Sequence, residues 1–467
     1  MSPLNILVVL ILLALVVLIL LSLVMKGISL VLRQRKSARD DGRVLRGSEV
    51  KSVALTRKNK KGQSDQRIIA LGGVPIPSSL ESQHILFAGA SGTGKSQGIS
   101  QVLKAVQSRG SRAMIADAGG EYLSRFYREG DLIFNPFDRR SVNWSPFAEL
   151  RNEYDCSTIA RAAIPNVTGD SSEWHHYAQT LLSEVMLVMH KLKVHSVKRL
   201  LYYMTTAESA ELGELLADTP AAMLCREGNE RMLANTRGII STFLISWRYL
   251  SDDGTFSIRE WIRAESGASW IYIVYRDDQF EMLRSLVSTV MELGFGEGLS
   301  LSINPERDLW FVMDEVDSLG KVTSLSKGLS RLRKYGCKCV LGLQTISQLR
   351  TNYGADEAQT LMANLSTKFI LRAGDGETAE YFSKEIGEQE IEWNQQSTGS
   401  SSSLSSPRAK SKNTSVVRET KRTVLGAEMT ALEDLIGYLK YPGFLTKIKL
   451  DYEKYPEIVD AFAERTE

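Results

Sequence analysis

The chain has 467 residues, with 57 Lys+Arg against 55 Asp+Glu and a formal net charge of +2. That length supports two or three domains with ample core, and a balance this even excludes nucleic-acid binding driven by bulk basic charge. Four cysteines, Cys156, Cys225, Cys337 and Cys339, fit a reducing compartment.

Leu4 to Met25 carries no charge, and Asn5 and Ser22 are its polar residues. As a helix this run spans about 33 Å, enough for a bilayer core. No Lys or Arg precedes it and no small-residue cleavage site follows, so a membrane anchor is expected rather than a secretory leader. Lys26, Arg33, Arg35, Lys36, Arg39, Arg43 and Arg46 lie on its C-terminal side. This bias places the bulk of the chain in the cytoplasm and leaves Met1 to Pro3 outside. Ile28 to Leu32 is too short for a second span. From Lys26 to Lys61 the local balance is +9, and residues 62–467 sum to −7. The basic segment is expected to orient the span and touch anionic lipid rather than DNA.

His84 to Ala88 is a short apolar run of strand type. Ile99, Val102, Leu103 and Val106 then recur on one face of an expected helix from Gln97 to Gln107. Between them Gly89 to Ser96 reads GASGTGKS, which fits the phosphate-binding pattern G-x-x-x-x-G-K-[ST] at each fixed position. Glycines let backbone N–H groups curl around an anion. Gly89, Ser91, Gly92, Thr93, Gly94, Lys95 and Ser96 are therefore candidate nucleotide-binding residues, with Lys95 on the phosphates and the Ser96 hydroxyl on Mg²⁺.

Strand and helix patterns alternate onward through Ala113–Asp117 and Asp131–Asn135, an α/β arrangement with a parallel sheet. From about Trp144 to Asp253 the pattern is helical, with runs at 176–192, 209–216 and 230–250. It is expected to be an all-helical insertion, punctuated by Pro146 and Asp252-Asp253-Gly254. Trp174-His175-His176 invites a metal reading, but adjacent helical residues do not face one another. Strand-like runs return at Trp270–Tyr275, Leu309–Met313, Cys339–Leu343 and Lys368–Leu371, with helices expected over 279–294 and 324–335. Cys337 and Cys339 lack a second pair to complete a zinc site and are expected as buried free thiols. Ser397 to Ser415 is low-complexity and hydrophilic, expected as a mobile loop. Two late strands, Ile436–Leu439 and Phe444–Leu450, flank a turn at Pro442-Gly443.

Asp314 and Glu315 end the apolar run Phe311-Val312-Met313. In a P-loop ATPase the first acid holds Mg²⁺ and the second takes a proton from the attacking water. Ser330 to Lys334 reads SRLRK, so Arg331 or Arg333 is positioned to reach a neighbour's γ-phosphate in a ring. Gln344 ends the following strand, where a polar side chain senses phosphate or orients water. No ABC-transporter signature is present.

These segments together resemble the type IV coupling proteins, a family of conjugative DNA-translocating ATPases. The resemblance covers roughly residues 80–450, through HILFAGASGTGKS, LIFNPFDRR, FSIREWI, WFVMDEVDSL, RKYGCKCVLGLQTISQL, YGADEAQTL and RTVL. It implies a RecA-like P-loop ATPase domain with an inserted all-alpha domain and an N-terminal transmembrane helix. The corresponding boundaries are an anchor at 1–30, a basic juxtamembrane linker at 31–75, the nucleotide-binding domain at 76–143 and 256–467, and the all-alpha domain at 144–255. It implies ATP and Mg²⁺ as cofactors, with Lys95 and Ser96 on phosphate and metal and Asp314 as the Mg²⁺-linked acid. Glu315 takes the role of catalytic acid/base, Arg333 that of arginine finger and Gln344 that of nucleotide sensor.

The implied function is a homo-hexamer of the bacterial inner membrane, single-pass with a cytoplasmic body. It would couple the relaxosome to a type IV secretion channel and drive single-stranded DNA transfer, with sequence-independent contacts to single- and double-stranded DNA. Its other partners would be relaxase, inner-membrane secretion components and lipid. Family members of this kind usually carry two spans, whereas one is expected here, and no long acidic C-terminal tail is expected. Two alternatives are a docking scaffold assembled by ATP that does not pump, and an FtsK- or HerA-like DNA translocase.

Overall fold

A computed structural model describes residues 43–51, 66–167, 169, 171–265, 267–316, 319–403 and 406–465. The expected span at Leu4–Met25 lies outside these residues. Among the described residues no helix is long and apolar enough to cross a membrane. The chain divides into two units, one formed by residues 1–49 with 384–424, the other by residues 50–383 with 425–467.

The first unit is a three-stranded antiparallel sheet of β1 (Arg43–Gly47), β11 (Glu388–Ser403) and β12 (Ser406–Arg422), in the order β1-β11-β12. Its ladder from Glu388↔Arg422 continues through Ser397↔Asn413 to Ser401↔Ala409. Residues 397–403 and 406–415 are thus paired strand where a mobile loop was expected. Ladder hydrogen bonds use backbone groups alone, so a serine-rich composition shows the lack of a core without forbidding pairing.

In the second unit β2 (Ala70–Leu71) and β3 (Val74–Pro75) form a small hairpin. Seven strands then pair in parallel. They are β4 (Ile85–Ala88), β5 (Arg112–Ala118), β6 (Leu132–Phe134), β7 (Trp270–Tyr275), β8 (Leu309–Met313), β9 (Cys337–Leu343) and β10 (Thr367–Ile370). Antiparallel β13 (Ile436–Tyr441) and β14 (Phe444–Lys449) complete the order β14-β13-β10-β4-β9-β8-β5-β7-β6. Asp131 and Asn135 fall outside β6, their backbone N–H groups donating to Arg128 O at 2.9 Å and Ser141 Oγ at 3.1 Å rather than to a neighbouring strand.

Strand residues alternate between two packed faces. Phe87, Ile115, Tyr272 and Val312 share one core with Ile99, Val102, Leu103 and Val106 of helix α1 (Lys95–Arg109). On the other face Phe311 stacks on Phe295, with ring centroids 4.5 Å apart. Phe295 belongs to a helix over Asp277–Gly298. A Cβ at Gly294 would stand 2.5 Å from the Met114 sulfur, so this glycine permits the helix to lie close on the sheet.

Between β6 and β7 the described residues hold helices and turns and no strand. The helices run over Glu153–Ala163, Ser172–Lys191, Val197–Thr205, Ser209–Leu215, Glu230–Leu244 and Ile258–Arg263. The helix expected over 230–250 changes to a 3₁₀ turn at Ile245–Tyr249, which buries Trp247 edge-on against Trp144. His175 is buried on the Pro165 carbonyl while His176 is exposed, so the two imidazoles diverge. Buried Glu149 joins the segments that enter and leave this block. It accepts from Trp144 Nε1 at 2.6 Å, Ser257 Oγ at 2.7 Å, Ile258 N at 2.7 Å and Arg259 N at 3.1 Å.

Candidate nucleotide site

The C-terminal ends of parallel strands are where open α/β sheets hold ligands, and the GASGTGKS loop leaves β4 at this edge. Neighbouring strand ends pin it: Gly89 N donates to Leu343 O at 3.0 Å, Ala90 N to Arg372 O at 2.8 Å, and Leu435 N to Thr93 O at 2.8 Å. Gly94 has φ 113° as it enters α1, a backbone shape that a side chain would strain. Apart from its chain neighbours, no described atom lies within 4 Å of where a Gly92 Cβ would be, so the loop opens outward there. The helix N-terminus and loop amides favour an anion there. Lys95, only 7% exposed, points its ammonium inward and donates to Gly89 O at 2.8 Å. Ser91 is exposed at the rim, and buried Thr93 donates to Ala90 O.

The acidic pair comes from β8, two strands away. Ser96 Oγ donates to Asp314 Oδ2 at 3.3 Å, and Tyr122 OH donates to the same oxygen at 2.6 Å. Asp314 Oδ1 is buried and has no hydrogen-bond partner among the described residues. Burial raises the Asp314 carboxyl above its usual range, opposed by the Tyr122 hydroxyl and the Lys95 ammonium. An orphaned carboxylate oxygen beside a serine hydroxyl is the oxygen donor set that Mg²⁺ takes. Next to it Glu315 accepts a hydrogen bond from the Gln344 amide at the end of β9. Gly342 on β9 makes this approach possible, because a Cβ there would lie 1.8 Å from the Asp314 carbonyl oxygen.

Arg333 is elsewhere. It follows a helix over Thr323–Leu332 and precedes β9, and both Arg331 and Arg333 are exposed. The seven residues of β9 cover about 23 Å, which separates the arginines from the P-loop edge of their own sheet. The structure therefore brings together Lys95, Ser96, Asp314, Glu315 and Gln344, and leaves Arg333 at the opposite edge.

The sequence reading missed Tyr122 and Asp117. Asp117, the next-to-last residue of β5, accepts from Tyr122 N and Leu123 N at 3.2 and 2.7 Å, fixing the turn that aims the tyrosine. Burial pushes its carboxyl up to about 7, helped by Asp314 and Glu121 and opposed by those two amides. The available signal was an acid next to last in a strand, followed directly by Gly119-Gly120; both glycines have positive φ.

Residues 68–451 match the family model described as the type IV secretion-system coupling protein DNA-binding domain. The chain belongs to the type IV coupling protein family. Coupling protein TraD of Escherichia coli K12 is 26% identical over 452 residues, covering 94% of this chain and 62% of that relative. The chain thus spans less than two thirds of that relative's length. The solved structure of the conjugative coupling protein TrwB lacking its first 70 residues is 33% identical. It superposes with a TM-score of 0.80 over 90% of this chain and 97% of its own. TrwB in complex with ADP and Mg²⁺ is 32% identical, with a TM-score of 0.80 over 91% and 98% of the two chains. This coupling protein therefore has the RecA-like α/β ATPase fold with a helical domain.

Proposed function

We propose that this coupling protein is a membrane-anchored, hexameric, DNA-dependent ATPase. It joins the relaxosome to a type IV secretion channel and drives single-stranded DNA through it. The observation that carries the reading is the convergence of Lys95, Ser96 and the orphaned Asp314 oxygen on one open loop, with Glu315 held alongside by Gln344. Its likeness to TrwB, a protein solved with ADP and Mg²⁺, supports the same ligands here.

Bound Mg²⁺-ATP supplies the phosphoryl group and the charge that the site neutralises. Lys95 exchanges its Gly89 carbonyl for phosphate oxygens, and the loop amides cradle the anion. Ser96 and Asp314 would hold the metal, and Tyr122 keeps the Asp314 carboxylate in place. Glu315 accepts the proton of the attacking water. Arg333 sits too far from its own P-loop to serve it, which supports a role at a neighbour's site in a ring. Leu4–Met25 anchors the chain in the inner membrane, and the basic segment after it meets anionic lipid. The DNA contacts are to backbone phosphates, sequence-independent and salt-sensitive, through local Lys and Arg in a body that is acidic as a whole.

Glu315→Gln is expected to keep ATP binding while ATP turnover falls by at least about 100-fold and DNA transfer between cells is lost. Transfer at the wild-type frequency in that variant would leave a docking scaffold as the better reading.

A further inference from the structure

We propose that His84 is a positioning residue for Arg333, tying the strand that enters the P-loop to the helix that carries the arginine. This inference rests on the trans-site reading of Arg333 given above. His84 is the residue before β4 and is 1% exposed, with a left-handed φ of 65°. Its imidazole bridges two partners distant in sequence. The Cys339 N–H donates to Nδ1 at 3.0 Å, and Nε2 lies 2.7 Å from the Leu329 carbonyl. An Nδ1 that accepts carries no proton, so Nε2 bears the hydrogen and donates to Leu329. Burial supports this neutral tautomer by lowering the imidazole pKa to about 4.

Leu329 lies in the last turn of the Thr323–Leu332 helix. The last four carbonyls of an α-helix have no intrahelical partner, so a side-chain donor there fixes the end of the helix. Arg333 is four residues further on, about 6 Å along the axis. Leu325, Leu329 and Leu332 are buried and hold the helix to the sheet, while the His84 bond fixes the position of its final turn. The same imidazole is joined through its own backbone to β4, which ends in the phosphate loop.

The test uses the full-length protein and mixed oligomers. His84→Asn retains an acceptor for Cys339 N–H but is too short to reach Leu329; His84→Gln retains a donor for Leu329. His84→Asn is expected to lower ATP turnover by about 10- to 100-fold, the scale of a misplaced catalytic group, with KM for ATP unchanged. His84→Gln is expected to restore most of that loss.

Mixing His84→Asn with Lys95→Ala subunits should recover turnover, because each lesion then lies on a different side of the shared site. Mixing His84→Asn with Arg333→Ala should not. If His84→Asn and Lys95→Ala fail to complement while Arg333→Ala and Lys95→Ala succeed, the assignment of His84 to the arginine side is overturned alone. If Arg333→Ala and Lys95→Ala also fail, the trans-site reading falls and takes the inference with it.

Discussion

Two side chains set the electrostatics of the site from one side. Asp117 caps the turn after β5 with two backbone bonds, and that turn delivers the Tyr122 hydroxyl to Asp314. The tyrosine occupies one carboxylate oxygen and leaves the other without a partner for a cation. On the far edge of the sheet His84 offers a measurable signature. Its folded pKa is about 4 against an ordinary 6.5, so between these values the unfolded chain binds a proton that the native chain does not. The stabilisation is therefore fully present above pH 6.5 and is lost as pH falls through about 4, a change on the order of 3 kcal/mol. Denaturant titrations of wild type and His84→Gln should diverge as pH rises from 4 to 6.5 and run parallel above it. Parallel curves throughout would contradict a buried neutral imidazole. The P-loop residues were legible in the sequence because phosphate geometry fixes their spacing. Tyr122 and His84 were not, since their partners are 192 and 245 residues away.

Elements explain how the site residues meet. Strands β4, β9 and β8 lie side by side, so a loop, an amide and two acids from three distant stretches share one edge. The buried runs of β7, β8 and β9 announced a parallel sheet from sequence, and their order did not follow from it. That order is set by crossovers whose connections the apolar pattern does not record. The helical block was visible as a loss of strand pattern between Trp144 and Asp253. The residue that ties its ends was not, because Glu149 looks like an ordinary surface acid in sequence. It is buried with four donors, and burial raises its carboxyl while those donors oppose the rise. Glu149→Ala leaves those donors unsatisfied and is expected to destabilise the protein by about 2–4 kcal/mol. The loss should appear as a lower Tm and as faster proteolysis near residues 250–257. An unchanged Tm would mean the block is held by packing alone. The serine-rich ribbon of β11 and β12 marks the limit of composition as a guide, since backbone pairing there asks nothing of the side chains.

At the scale of the whole molecule the proposed ring rests on where the parts lie on the sheet. The phosphate loop, the metal-facing acid and Glu315 are built at one edge of the sheet, and Arg333 at the other. In the proposed ring each subunit carries half of two sites, so turnover should depend on assembly. The body of the chain is net acidic after residue 61, so the proposed DNA contact relies on local basic groups and the DNA phosphates. The most direct measurement is the ATP turnover of the full-length protein with and without single-stranded DNA, at low and at physiological salt. Stimulation of at least severalfold at low salt, declining as salt rises, is the predicted result. Turnover indifferent to DNA at low salt would contradict the DNA-driven motor.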